Sequence, residues 1–496
     1  MRRLGIVTVA ISVCLVTGVS FWRVAKATPF AAAQGSESAE ARAFATAINN
    51  AQNPLQLKEL APPGSVAYVT RRGDSIPSIA RQFLPKTSYL TSAELADAIR
   101  VTNGHKQGNT VKVGETLFVP KILDSPIVEK TIQVPRDFEV RAVYLTGVMA
   151  GSEKGLRIIR QWRELGGNAV VFDVKDSDGI PNIPFDHPLA TPKKHPAIPD
   201  LPKFARFLHS QGMHAIARIA IFRDERLVTT HPELAVHSRQ TGAPWRENGK
   251  LVWTDPSQPK VQEYNIALAK LAGQSGVDEV QFDYVRFPAE GDQKDAGFVY
   301  QKDHPAWHRT DVITDFLRQA YAALHPEGVL LSLDVFGVMA WQRPVDLAHT
   351  GQDIPDMAKY CDVLSPMIYP SHFFGMDGYE RPGDAPEHFI AESMDRFQLI
   401  TKDTGVVLRP WLQAFAWRTK TYSPKYIEVQ VTVAKDKGGI GFLFWNANNN
   451  YSKPYDAMPV MRSAKLFRGD ELPGSTAIAA ETKASGPRII TVSGRQ

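Results

Sequence analysis

Eight short runs rich in Val, Ile, Leu and Phe recur along the C-terminal two thirds of the chain, most of them separated by a stretch of helical period. The runs are VRAVYLTG from Val140, NAVVFDVKD from Asn168, MHAIARIAIF from Met213, DEVQFDYVRF from Asp278, GVLLSLDVFG from Gly328, CDVLSPMIYP from Cys361, VVLRPWLQAF from Val406 and GIGFLFWNA from Gly439. Segments such as GLRIIRQWRELGG, DLPKFARFLHSQG, VQEYNIALAKLAGQSG and DVITDFLRQAYAALHP lie between them. Strand and helix in alternation call for an α/β protein with a parallel sheet, and eight repeats point to a closed (β/α)8 TIM barrel spanning 138–463. A doubly wound open sheet is the structural alternative. No glycine-rich phosphate loop follows the first run, which weighs against a nucleotide site.

Alternation with period two sorts each run into faces. In the second run Val170, Phe172 and Val174 point one way, while Asp173 and Lys175 point the other, as a simple ion pair or as contacts to substrate hydroxyls. The fourth run pairs Gln281 with Asp283 and ends in Tyr284 and Arg286. The fifth pairs Ser332 with Asp334, the sixth Ser365, Met367 and Tyr369, and the seventh Arg409, Trp411 and Gln413. Burying that many charged groups for packing alone is costly, so the polar face is read as a cleft at the C-terminal ends of the strands. Several carboxylates beside Tyr284, Tyr369, Trp411 and Trp445 suit glycoside cleavage, which needs one acid to protonate the leaving oxygen and one carboxylate to attack or to activate water. His372 and Asn446 complete the candidate sugar contacts. Arg218 and Arg409 are expected to hold carboxylates in place, Asp283 being a structural partner of Arg286 or Arg409 if it is not essential. Asp176 and Asp178 read as turn formers. No cofactor is expected. Metal-ligand spacing and a GxSxG elbow are both missing, which disfavours a metal hydrolase, a deacetylase and a serine esterase.

The N-terminus, MRRLGIVTVAISVCLVTGVSFWRVAKA, has a basic start, an apolar run and a small-x-small end at Ala27. It reads as an export signal in 1–27, either cleaved or retained as a membrane anchor, which places the protein in the periplasm, cell envelope or outside the cell. Once the signal is removed only Cys361 remains, so no intramolecular disulfide can form. Residues 28–64 read as a linker with one short helix near 38–52, and 464–496 as a flexible tail. A formal net charge of +5 on 496 residues, with no dense basic block among aromatics, excludes the footprint of a nucleic-acid binder.

Between 65 and 121 the order is strand, helix, helix, strand. Gly73, Asp74, Ser75, Ile79, Ala80, Asn103, Gly114, Leu117, Val119 and Pro120 stand where the LysM domain has its recurrent residues, so this βααβ module resembles LysM. That resemblance implies binding of N-acetylglucosamine-containing glycans such as peptidoglycan or chitin.

The motifs VRAVYLTG, NAVVFDVKD, FDYVRFP, LSPMIYPSHF, RPWLQAF and FLFWNANNNY together resemble a bacterial glycosyl hydrolase family with a TIM-barrel domain, distantly similar to α-amylase-type barrels. The resemblance implies a polysaccharide substrate and puts the strand-four nucleophile on Asp283. Asp334 stands where those barrels carry a Glu general acid, and Gln413 where a third acid is expected. Two readings follow: an exported glycoside hydrolase acting on cell-wall or extracellular, amino-sugar-containing polysaccharide, or a non-catalytic glycan-binding scaffold of the envelope.

Overall fold

The computed structural model describes residues 61–105, 108–191 and 193–463. The export segment, nearly all of the linker and the C-terminal tail lie outside the described residues. The chain divides into two compact units, with the boundary between Ile127 and Val128.

The smaller unit is built from β1 (Val66–Val69), α1 (Ile76–Phe83), α2 (Ser92–Thr102) and β2 (Thr116–Val119), with β1 and β2 antiparallel. Each helix starts where a hydroxyl replaces the missing intrahelical acceptor. Ser75 accepts from Ser78 N and Thr91 accepts from Glu94 N, each inside a reciprocal capping box. Ile76, Ile79 and Ala80 of α1 meet Leu95, Ala96 and Ile99 of α2 over Leu117 and Val119. Asn103 ties α2 to β2, giving its amide to Ile99 O and Phe118 O and accepting from Phe118 N at 2.8 Å.

The larger unit carries β3 (Val140–Leu145), β4 (Ala169–Lys175), β5 (His214–Ala220), β6 (His237–Ser238), β7 (Glu279–Asp283), β8 (Ala296–Gly297), β9 (Leu330–Phe336), β10 (Val363–Met367), β11 (Val407–Leu408), β12 (Trp411–Gln413) and β13 (Gly441–Trp445). The strands β6 and β8 form a separate two-residue ribbon. The others pair in parallel in the order β3, β4, β5, β7, β9, β10, β11/β12, β13, and β13 returns to β3. Closure excludes the open-sheet alternative. The seventh position is split because Pro410 has no N–H to give the ladder, although its carbonyl still accepts from Leu443 N at 3.0 Å.

Helices α3 (Glu153–Leu165), α4 (Leu201–Ser210), α5 (Pro259–Gln274), α6 (Arg309–Leu324), α7 (Pro386–Ile400), α8 (Pro424–Asp436) and α9 (Ser452–Ser463) supply the crossovers and the closing segment. Inside the ring Val140, Ala142, Tyr144, Ala169, Val171, Ile216, Tyr369, Trp411 and Leu443 form one apolar cluster. Among the described residues no helix is long and apolar enough to cross a membrane.

Candidate active site

Arg218 of β5 lies in register with Asp173 of β4 on one side and Gln281 of β7 on the other. Its guanidinium gathers four acids. Nη1 meets Asp173 Oδ1 at 2.5 Å and Asp176 Oδ1 at 3.3 Å; Nη2 meets Asp283 Oδ2 at 2.6 Å; Nε lies 3.2 Å from Asp283 Oδ2 and 3.8 Å from Asp334 Oδ2. Tyr144 of β3 donates to Asp173 Oδ2 at 2.5 Å, and Trp411 of β12 donates its indole N–H to Asp334 Oδ1 at 2.6 Å. Side chains from six barrel strands or strand ends thus converge on one buried cluster. Asp173 and Asp334 are each 1% exposed and Asp283 8%.

One guanidinium cannot balance four carboxylates, and the raised carboxyls of Asp173 and Asp334 show it. Burial pushes Asp173 up to about 7, with Arg218 opposing and Asp176 adding to the rise. Burial and then the charge of Asp283 hold Asp334 well above the ordinary carboxylate range, against the pull of Arg218 and Trp411. Asp334 therefore holds its proton more tightly than an ordinary carboxyl. Its Oδ1 takes the Trp411 N–H, and its Oδ2 is the oxygen turned to Arg218 Nε. Both Asp283 Oδ2 and Asp334 Oδ2 face that same Nε, so they lie no more than about 7 Å apart, a ceiling that leaves room for the ~5 Å of a retaining carboxyl pair.

The chain leaving β7 is shaped around Asp283. Tyr284 has a φ of +52°, in the left-handed region that costs a non-glycine residue roughly 1–3 kcal/mol. There its amide donates to Asp283 Oδ1 at 2.6 Å, and so both carboxylate oxygens are held. Tyr369, Phe415 and Trp445 form an aromatic group at the ends of β10, β12 and β13, with ring centroids 5.3–6.0 Å apart.

A family model described as "Putative glycosyl hydrolase domain" (DUF4015) matches residues 142–451, more than half of the chain. The chain belongs to this family. Two solved structures are similar to this family member. The glycoside hydrolase domain of PgaB (BpsB) from Bordetella bronchiseptica is 15% identical, with a TM-score of 0.50 over 65% of this chain and 99% of that one, a likeness of fold. A hypothetical protein from Ruminiclostridium thermocellum is 34% identical over 39% of this chain and 97% of its own, with a TM-score of 0.34. No functionally curated protein matches the sequence.

Several residues of this glycosyl hydrolase domain stand elsewhere than the alternation implies. Lys175 does not pair with Asp173. The β4–β5 register slips between Asp173 and Lys175, and the Lys175 ammonium, fully buried, meets Asp224 at 2.7 Å and Asn265 at 3.1 Å. Arg409 does not reach Asp283: it meets Glu279 at 2.7 Å, deeper in the ring, where His214 also contacts Glu279. Burial pushes Glu279 up, but Arg409 and His214 prevail and bring it to about 2.

Trp411 is a buried partner of Asp334, 2% exposed, and so is not a stacking surface. Gln413 is spent on Ser371 N, Phe415 O and Thr419 Oγ1. Asn446 shapes its own turn, donating to Ala414 O and accepting from Asn448 N and Asn450 N.

His372 lies 3.2 Å from Ser371 Oγ and packs among Tyr369, Phe415 and Trp417; burial, then Arg418, brings its ring down to about 4, so it is neutral. Trp445 is half-buried beside Tyr369, and Arg286 is buried three residues past the end of β7. Asp283 is paired with neither Arg286 nor Arg409 but with Arg218. Asp176, read as a turn former, joins the cluster. Tyr144 and Glu279 were not singled out by the alternation argument, although VRAVYLTG places Ala142 and Tyr144 on one face and so carried the signal for the tyrosine.

Proposed function

We propose that the barrel cleaves glycosidic bonds of a cell-wall or extracellular polysaccharide containing amino sugars. Asp283 is the carboxylate that attacks the anomeric carbon or activates water, and Asp334 is the acid that protonates the leaving oxygen. The observation that carries this reading is the contrast between two neighbouring acids: Asp283 is held by two nitrogens of Arg218, whereas Asp334, buried and beside the Asp283 charge, lies 3.8 Å from that guanidinium and has its carboxyl raised well above the ordinary range. Two carboxyl groups in such different surroundings suit the separate roles of a base or nucleophile and an acid. Family membership supports the reaction class. Tyr369, Phe415 and Trp445 offer ring faces suited to the C–H faces of a sugar.

We also propose export, from the basic start, apolar run and Ala27 end of the N-terminus, and delivery to glycan by the LysM-like unit, which raises local substrate concentration by tethering. The test is to incubate the full chain and its Asp283→Asn variant with peptidoglycan, chitin oligomers and amino-sugar exopolysaccharides, and to measure new reducing ends. Release by the native chain, lost by at least about 100-fold in the variant, supports hydrolysis. Tight retention of glycan by both without products would overturn it in favour of an envelope scaffold, a reading favoured by the near-complete burial of Asp173 and Asp334.

A further inference from the structure

Arg286 stands at the same rim as the carboxyl pair and outside the Arg218 cluster. Its guanidinium lies 4.7 Å from the Trp253 ring centroid, 5.5 Å from that of Tyr284 and 4.3 Å from that of Phe336, and the residue is 7% exposed. Tyr284 directly follows Asp283, and Phe336 is two residues beyond Asp334 on the same strand face. The guanidinium thus sits where β7 and β9 end, on the mouth side of both acids.

Its hydrogen bonding is incomplete. Nη1 donates to Phe287 O at 3.0 Å, and among the described residues no carboxylate comes within 4.0 Å of it. Arg218 and Arg409, by contrast, each hold an acid directly. Glu247 and Asp283 act on Arg286 from beyond pairing distance, and burial moves its guanidinium down, the direction of a cation short of counter-charge. The enclosed, unpaired side-chain nitrogens among the described residues do not include those of Arg286, so its unbonded N–H edge opens to solvent. A second guanidinium, Arg223, lies 5.5 Å from the centroid of one of these three rings, that of Tyr284.

A buried guanidinium with free, planar N–H groups matches a carboxylate, which accepts two parallel bonds and supplies the missing charge; a neutral hydroxyl supplies neither. We propose that Arg286 recognises a carboxylate on the glycan, so that the sugar bound at or beside the Asp283–Asp334 pair is acidic, a uronic acid or an amino sugar bearing a lactyl ether. This rests on the barrel being a glycan site, as argued above.

The full chain, labelled with 5-fluorotryptophan, reports the site through Trp253, whose fluorine resonance is the one missing in Trp253→Phe. The titrants are a glucuronic-acid disaccharide, N-acetylglucosaminyl-N-acetylmuramic acid, the carbodiimide-made amide of each, and chitobiose. At least one acid should move the Trp253 resonance at a concentration about tenfold or more below its own amide, and Arg286→Lys should narrow that gap to about threefold or less. Which acid does so identifies the carboxylate. Equal midpoints for acid and amide, or a Trp253 resonance that no sugar moves, would overturn the proposal. The readout is binding, so an absence of reducing ends defeats the hydrolase reading and leaves this one standing. Cleavage of neutral chitin oligomers with no preference for acids does the reverse.

Discussion

Asp173 offers the sharpest quantitative handle on the cluster. It is enclosed by Arg218 and Tyr144, and burial takes its carboxyl from 3.8 to about 7 despite the Arg218 charge. A carboxyl raised in the folded state contributes stability that is complete below the unfolded value and is lost as pH rises through the folded one. Between pH 5 and pH 8 the loss comes to about 2–3 kcal/mol.

Asp173→Asn cannot titrate, keeps an oxygen for the Tyr144 hydroxyl, and leaves Arg218 paired with Asp283. The variant should therefore gain about 2–3 kcal/mol on the native protein as pH goes from 5 to 8, whatever their offset at pH 5. Urea unfolding followed by tryptophan fluorescence reads this chiefly in the larger unit, because eight of the nine tryptophans lie after residue 128.

His209 complicates the raw curves. Burial lowers its ring, but Asp278 and Glu129 raise it further, so its contribution is also lost as pH climbs above its unfolded range. That loss is common to both proteins and cancels in the difference. A native-minus-variant difference flat to about 0.5 kcal/mol across this range would refute the reasoning: Asp173 would then be ionised throughout, with Arg218 prevailing over burial.

The Lys175–Asp224 pair is sealed, both side chains being 0% exposed. Lys175→Met should cost about 3–5 kcal/mol by stranding Asp224, and adding Asp224→Leu should recover most of it, a double-mutant cycle read by denaturant midpoints. The Asp224 carboxylate also caps the short helix Glu225–Thr230 through Leu227 N, so recovery should fall short of complete by about 1 kcal/mol.

Period two located Asp283 and Asp334 because β7 and β9 are regular and pair in simple parallel register, Gln281 opposite Ser332 and Phe282 opposite Leu333. The same rule failed at Lys175. A one-residue irregularity reverses the face of all that follows it, and nothing in NAVVFDVKD marks the slip. It also said nothing about depth. Arg409 and Asp283 both point inward, yet Arg409 is level with Glu279, four residues before its supposed partner. Trp411 likewise faces the ring interior as expected, but far enough down to serve Asp334 and not a sugar ring. Pro410 was the visible warning that this strand breaks. The bond between Arg218 and Asp283 depends on stagger between neighbouring strands, which no single strand encodes.

The two acids assigned to catalysis are not independent, and that makes an asymmetry testable. The charge of Asp283 is the second cause, after burial, of the raised carboxyl of Asp334. Asp283→Asn therefore removes the attacking or activating carboxylate and also weakens the hold of Asp334 on its proton. Asp334→Asn removes only the acid and leaves Asp283 on Arg218. An aryl glycoside with a good leaving group needs little protonation at oxygen. On such a substrate Asp334→Asn should stay within about tenfold of the native rate, while Asp283→Asn should lose at least about 100-fold. On a natural glycan, whose leaving alkoxide needs the proton, both variants should fall together. The pH–rate profile of the native chain should report the pair as one coupled unit, with its basic limb shifted down in Asp283→Asn if any residual rate is measurable. Equal losses for both variants on the activated substrate would show that Asp334 does more than deliver a proton, and the division of roles between strands β7 and β9 would have to be abandoned.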